Sequence, residues 1–185
     1  MSIEQQTIAS EAVLEGVGLH TGAAVRLRFL PAAAGTGIRF RRSDLENAPE
    51  VPATLESVAG TDRNTTLAAG EARVATVEHL LAAVTACEID NLIIDIDGSE
   101  IPIGDGSFAP FFDVLREAGV ERQGVPARVL ELQEPVRAAG PAGSTYVAVP
   151  DEAYRIATTI EFAHPLIRRQ FGAFQITCEE FASEL

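Results

Sequence analysis

A glutamate and a histidine stand side by side in Thr76-Val77-Glu78-His79-Leu80-Leu81. On a helix, adjacent side chains point about 100° apart, so Glu78 and His79 can both border one cavity while Val77, Leu81 and Val84 stay in the core. A histidine that binds a metal, beside a carboxylate that deprotonates a metal-held water, is a hydrolase arrangement. The spacing is not His-Glu-x-x-His, and the pair alone describes a solvated first turn equally well. His20 lies in Gly16-Val17-Gly18-Leu19-His20-Thr21-Gly22, whose glycines fall as G-x-G-x-x-x-G and precede a strand where a dinucleotide fingerprint needs a helix. That reading is rejected. The glycines let the chain turn tightly between strands and present His20 at the bend, as an exposed turn residue or as a ligand.

Three further stretches carry polar chemistry. Thr61-Asp62-Arg63-Asn64-Thr65-Thr66 concentrates hydroxyls and amides that either bond a polar ligand or satisfy a loop. In Glu161-Phe162-Ala163-His164-Pro165, Phe162 offers a ring face and Glu161 an acceptor, and Pro165 should hold His164 extended. Asp95-x-Asp97-Gly98 lacks the distant Glu of a calcium loop and reads as a strand end and turn. Asp105-Gly106-Ser107 reads as a turn followed by a helix cap.

The elements that must position these residues follow from periodicity. Ala24 to Phe29 and Ile38 to Arg41 alternate apolar and basic side chains, the pattern of strands with one wet face. Pro31 to Gly37 between them reads as a hairpin loop. Val77, Leu80, Leu81 and Val84 mark an amphipathic helix with Thr76 as its cap and a strand before it at Ala72 to Ala75. Leu92 to Ile96 is a β-branched, mostly buried strand. Ser107 caps a helix over Phe108 to Ala118, with Pro110 in its first turn and Gly119 as its stop.

Polar residues with a Gly and a Pro at Glu121 to Pro126 suggest a boundary. This predicts a first domain over 1–122, a linker at 123–126 and a second domain over 127–185. Strands are expected in the second domain at Arg128 to Leu132, Thr145 to Val149 and Tyr154 to Phe162. A capping box at Thr177-Cys178-Glu179-Glu180 starts a helix. The chain stops five residues later, so the second domain is expected to be truncated.

Composition narrows the partners. The 185 residues carry 14 Lys and Arg against 27 Asp and Glu, a net charge of −13, the wrong sign for gripping a phosphate backbone. Nucleic acid is therefore not an expected partner. No apolar run approaches the roughly 18–20 residues of a membrane span, and Met1 to Thr7 lack a basic signal-peptide start. Two cysteines, Cys87 and Cys178, form neither a disulfide scaffold nor a four-cysteine zinc site. A cytoplasmic protein is expected.

Taken together and in order, the Gly16–Gly22 segment, Thr76-Val77-Glu78-His79-Leu80-Leu81-Ala82-Ala83, and Ile89-Asp90-Asn91-Leu92 through Glu100-Ile101-Pro102-Ile103-Gly104-Asp105-Gly106-Ser107 resemble the UDP-3-O-acyl-N-acetylglucosamine deacetylase family. The resemblance extends to Phe162-Ala163-His164-Pro165. It implies an α+β protein of two similar two-layer domains, each a sheet packed on helices, with the second incomplete here. It also implies zinc-dependent hydrolysis of the N-acetyl group of UDP-3-O-acyl-N-acetylglucosamine in lipid A biosynthesis.

By the same resemblance His79 is a Zn2+ ligand and Glu78 the general base. His20, Arg63, Asn64 and Thr65 line the pocket, and Glu161 and Phe162 hold the uridine end, with Phe162 against the ring. The family's other zinc ligands lie in a His-Lys-x-x-x-Asp motif, followed by a further catalytic His, all expected beyond residue 185. The chain is thus expected to be an N-terminal fragment, inactive by itself. The alternative is a short non-catalytic paralogue that binds a sugar nucleotide or a protein partner through an exposed sheet. A third possibility is a different metal site built from His20, His79 and His164.

Overall fold

The computed structural model describes residues 3–184; the first two positions of the expected first domain and the last of the second lie outside the described residues. The architecture is α+β, in two compact units that divide between Ala127 and Arg128.

The first unit runs β1 (Glu4–Ile8), β2 (Ala12–Val17), β3 (Ala24–Pro31), β4 (Ile38–Arg42), β5 (Glu50–Pro52), β6 (Val58–Gly60), β7 (Thr66–Ala69), β8 (Ala72–Val74), α1 (Glu78–Ala86), β9 (Leu92–Ile96), α2 (Ala109–Ala118) and β10 (Val120–Pro126). Its main sheet has the order β2-β3-β9-β4-β5. The alternation read in β3 is present: Val25, Leu27 and Phe29 are buried, and Arg26 and Arg28 between them are exposed. Phe29, Phe40 and Phe111 are fully buried, each contributing about 1.5–3 kcal/mol of apolar burial. Helices α1 and α2 pack on each other and α2 reaches β2, while Leu80, Ala83, Val84, Phe111 and Leu115 supply their buried faces.

The hairpin expected from β3 to β4 does not form. Strand β9 lies between them, antiparallel to β3 and parallel to β4. The reason is burial: Leu92, Ile94, Asp95 and Ile96 are all buried, which suits a central strand with neighbours on both sides. Asp95 is covered by arginines from those neighbours. It sits across from Arg28 and Arg41, and Arg41 grips it with two nitrogens, Nη2 donating to Oδ2 at 2.9 Å. Asp97 Oδ1 accepts from the Arg26 amide at 2.7 Å, so the Asp95-x-Asp97 pair is a strand end and turn.

The stretch read as a linker, 123–126, is the second half of β10, which pairs antiparallel with β1. Strand β10 has mostly exposed side chains and therefore no apolar alternation to reveal it. It is tied to the sheet through Asn91, only 1% exposed. The Asn91 amide donates to Gln5 Oε1 at 2.9 Å and Gln123 Oε1 at 2.8 Å, while its oxygen accepts from Gly37 N at 2.9 Å. Its carbonyl accepts from the Thr7 hydroxyl at 2.7 Å.

Helix boundaries also differ in one informative way. The residue before α2 is Phe108, with no side-chain cap bond, and Ser107 one position earlier accepts from Ala109 N at 3.1 Å; Pro110 lies in the first turn, and Gly119, at φ 72°, ends the helix. Thr76 does not cap α1. The residue before the helix is Val77, with no side-chain cap bond, and the Thr76 hydroxyl is used elsewhere.

The second unit holds β11 (Val136–Ala139), β12 (Thr145–Ala148), β13 (Arg155–Glu161), β14 (Arg169–Gln175) and α3 (Cys178–Glu184). It contains two antiparallel hairpins, β11-β12 and β13-β14. Arg128 to Leu132, expected as a strand, is irregular; its Val129 and Leu130 are exposed, and among the described residues no strand pairs with it. The capping box is present in a shifted form. Thr177 Oγ1 accepts from Glu180 N at 3.1 Å, but Glu180 Oε1 accepts from Gln175 N rather than from the cap residue.

Replacing Asn91 by Ala leaves several buried partners unmade, each worth about 1–3 kcal/mol. Urea denaturation of the Asn91→Ala protein should show a loss of about 3 kcal/mol; a loss under about 0.5 kcal/mol would mean that the ribbon is held by other contacts.

Candidate functional site

The site begins at the corner where β8 ends and α1 begins. Ala75 forms a parallel bridge with Glu100, its N–H donating to Ser99 O at 2.9 Å and its carbonyl accepting from Ile101 N at 3.0 Å. Thr76 then turns with φ 61°, a left-handed conformation uncommon for a β-branched residue. Two residues later Glu78 and His79 open α1. Both are half-buried.

Glu78 is oriented from the neighbouring loop. The Thr65 N–H donates to Glu78 Oε2 at 3.0 Å, and Thr65 O accepts from Val77 N at 3.3 Å. One residue thus braces both the helix start and its first carboxylate. Asn64 works inside the same loop: its Oδ1 accepts from the Thr66 hydroxyl at 3.1 Å, and its Nδ2 lies 3.5 Å from Thr76 Oγ1. Among the described residues neither the His79 imidazole nor the exposed Arg63 guanidinium has a hydrogen-bond or ion-pair partner. Each is available to something outside the chain.

The turn carrying His20 is joined to this corner through a residue the sequence reading left without a role. Glu100 is 3% exposed. Its Oε1 accepts from His20 N at 2.9 Å and from the Thr76 hydroxyl at 3.1 Å; its Oε2 accepts from Thr21 N and the Thr21 hydroxyl, both at 2.8 Å. The turn closes with Gly22 N donating to Gly18 O at 3.0 Å, and a Cβ at Gly18 would collide with Thr21 Oγ1 and the Glu100 carboxylate. Glycine is required there by that close approach. The His20 side chain remains exposed.

The structure thus brings Asn64, Thr65, Glu78 and the backbone of His20 into one hydrogen-bonded neighbourhood around Thr76 and Glu100. Glu161 and Phe162 belong to the second unit. Glu161 pairs with Arg169 at 3.1 Å between two exposed side chains, and Phe162, 48% exposed, presents a ring face. His164 starts the turn between β13 and β14: its carbonyl accepts from Ile167 N and Arg168 N, and its Nδ1 from Leu166 N at 3.3 Å. Among the described residues, no three His, Cys, Asp or Glu side chains are grouped to hold a metal ion.

Burial alone would raise the Glu100 pKa, but the donors from His20, Thr21 and Thr76 outweigh it and hold the carboxyl below the ordinary glutamate value. A group with a depressed folded pKa contributes stability that is present above its unfolded value, about 4.3, and is lost as pH falls through the folded value. The stability gap between wild type and Glu100→Gln should therefore narrow in acid, below about pH 4.3. Urea titrations across that range check it; a gap constant with pH would contradict the assignment.

Comparison with known proteins then places the chain. The LpxC family model, UDP-3-O-acyl N-acetylglycosamine deacetylase, matches residues 5–185. A UDP-3-O-acyl-N-acetylglucosamine deacetylase of Geobacter sp. (strain M21) is 41% identical over 182 residues, covering 98% of this chain and 59% of that relative. Relatives with the same name from Myxococcus xanthus (strain DK1622) and Brucella melitensis biotype 2 (strain ATCC 23457) are also 41% identical, covering all of this chain and 58% and 64% of theirs. The chain thus spans about three fifths of the length of the curated relatives it matches. A match of this extent, together with the Glu78-His79 corner, means that the chain belongs to the UDP-3-O-acyl-N-acetylglucosamine deacetylase family.

Proposed function

We propose that the full-length protein is a zinc-dependent amidohydrolase that removes the N-acetyl group of UDP-3-O-acyl-N-acetylglucosamine, releasing acetate, as a step of lipid A biosynthesis. The observation that carries this reading is the Glu78-His79 corner. A carboxylate held by a backbone N–H stands beside a half-buried imidazole that has no protein partner among the described residues.

The residues fit part of a zinc site. His79 supplies one nitrogen ligand, whereas a catalytic zinc takes three protein ligands. The remaining ligands, a His and an Asp, are what the resemblance to the family implies for residues after 185. When bound, zinc lowers the pKa of a held water to about 7 and polarises the carbonyl under attack.

Glu78 takes one proton from the water as its oxygen attacks the acetyl carbonyl carbon. The bond to nitrogen then breaks as that proton passes from Glu78 to the leaving nitrogen, giving the free amine and acetic acid, which ionises to acetate. The Thr65 N–H occupies Oε2 of Glu78, so Oε1 is the oxygen free to accept that proton. His20 and Arg63 offer donors at the rim of the pocket, with Asn64 and Thr65 forming its wall. Glu161 and Phe162 receive the uridine end, the ring of Phe162 against the base. The setting proposed is the cytoplasm, because Cys87 and Cys178 form no disulfide.

Acetate release from UDP-3-O-acyl-N-acetylglucosamine by the full-length protein tests the reading, with the 185-residue chain expected to be inactive by itself. Glu78→Ala should lower kcat by about 10²- to 10⁴-fold with bound zinc retained. His79→Ala should lose the metal itself. Near-normal turnover in Glu78→Ala would remove the base, and binding of the sugar nucleotide without any turnover by the full-length wild type would favour the non-catalytic alternative.

A further inference from the structure

Resting on that reading, we propose that Thr76 and Glu100 form a positioning pair for the hydrolysis, fixing the corner from which Glu78 and His79 project and setting it against the turn that carries His20.

The first observation is strain. Thr76 is 3% exposed and has φ 61°, a conformation that costs a β-branched residue about 1–3 kcal/mol and that glycine adopts freely. Thr76 is not the helix cap, so helix capping does not account for its hydroxyl. That hydroxyl donates to Glu100 Oε1 at 3.1 Å and lies 3.5 Å from Asn64 Nδ2. The strained backbone persists because a buried acceptor determines it.

The second observation is that the same carboxylate oxygen binds the other side of the site. Glu100 Oε1 also accepts from His20 N at 2.9 Å, and Oε2 from both donors of Thr21. Two segments remote in sequence therefore share one acceptor atom. The carboxylate is fixed in turn, because Ser99 and Ile101 on either side bond the backbone of Ala75, adjacent to Thr76. If this bond is lost, Glu78 and His79 are free to shift relative to His20, and misplacement by about 1 Å costs on the order of a hundredfold in rate. Neither Thr76 nor Glu100 needs to touch the substrate.

The test is steady-state kinetics of the full-length, zinc-loaded enzyme with UDP-3-O-acyl-N-acetylglucosamine, alongside thermal melting. Thr76→Val keeps the shape and removes the donor; Glu100→Gln keeps the size and places an amide where donors converge. Both should lower kcat by about tenfold to a hundredfold while KM stays within about threefold. Thr76→Ser, which retains the hydroxyl, should recover most of what Thr76→Val loses.

A purely structural role would lower melting temperature and leave kcat of the folded enzyme unchanged, and that result overturns the proposal. A rise in KM at unchanged kcat also overturns it, because the pair would then serve binding alone. Should Glu100→Gln fail to fold, the comparison of Thr76→Val with Thr76→Ser decides. Turnover by wild type establishes the underlying reading separately; its absence overturns both.

Discussion

A buried carboxylate with no cation beside it must be satisfied by neutral donors, or it cannot stay ionised. In this protein that constraint falls on Glu100, and its donors come from the His20-Thr21 turn and from Thr76. Each donor belongs to a segment that would otherwise be a mobile connection. The turn between β2 and β3, the corner before α1 and the chain leaving β9 are thereby pinned to one group. The loop at Asn64 and Thr65 joins through Thr76 and Glu78.

The sheet makes this possible by holding the residues that lead to Glu100. Strand β9 is bracketed by β3 and β4. Its inner face packs Leu92, Ile94 and Ile96 into the core, while Asp95 on the other face is locked to Arg41. The following residues bond to β2 and to Ala75, through Ile103 N to Val17 O and through Ile101 N to Ala75 O. A rigid central strand thus delivers Glu100 to a fixed place, and from there the order passes to Glu78 and His79. The precision that the proposed hydrolysis needs would rest on elements whose positions are determined elsewhere in the fold.

What periodicity could reveal, it revealed. The alternation in β3 and β4, the apolar spacing in α1 and the Ser107, Pro110 and Gly119 punctuation of α2 are local signals, and each corresponds to an element. Pairing is not local. Nothing between Pro31 and Gly37 announces that β9 will separate β3 from β4. Strand β10 is exposed along almost its whole length, so it lacks an apolar face and resembles a linker, although its partner β1 buries Thr7 and Ile8. The site divides in the same way. Glu78-His79 was visible as an adjacent pair. Glu100 was hidden, because a glutamate between Ser99 and Ile101 has no signature until the turn and the corner close on it. Thr76 suits a helix cap by its type, and its left-handed backbone cannot be read from one letter.

The chemistry assigned to Glu78 and His79 is tested most directly by a crystal structure of the full-length, zinc-loaded enzyme. We expect a His79 nitrogen about 2.0–2.1 Å from the metal. Glu78 should keep its bond from Thr65 N, with its other oxygen within about 2.6–3.2 Å of the zinc-held water. A zinc ion coordinated without His79, or a Glu78 carboxylate turned away from that water, would contradict the assignment.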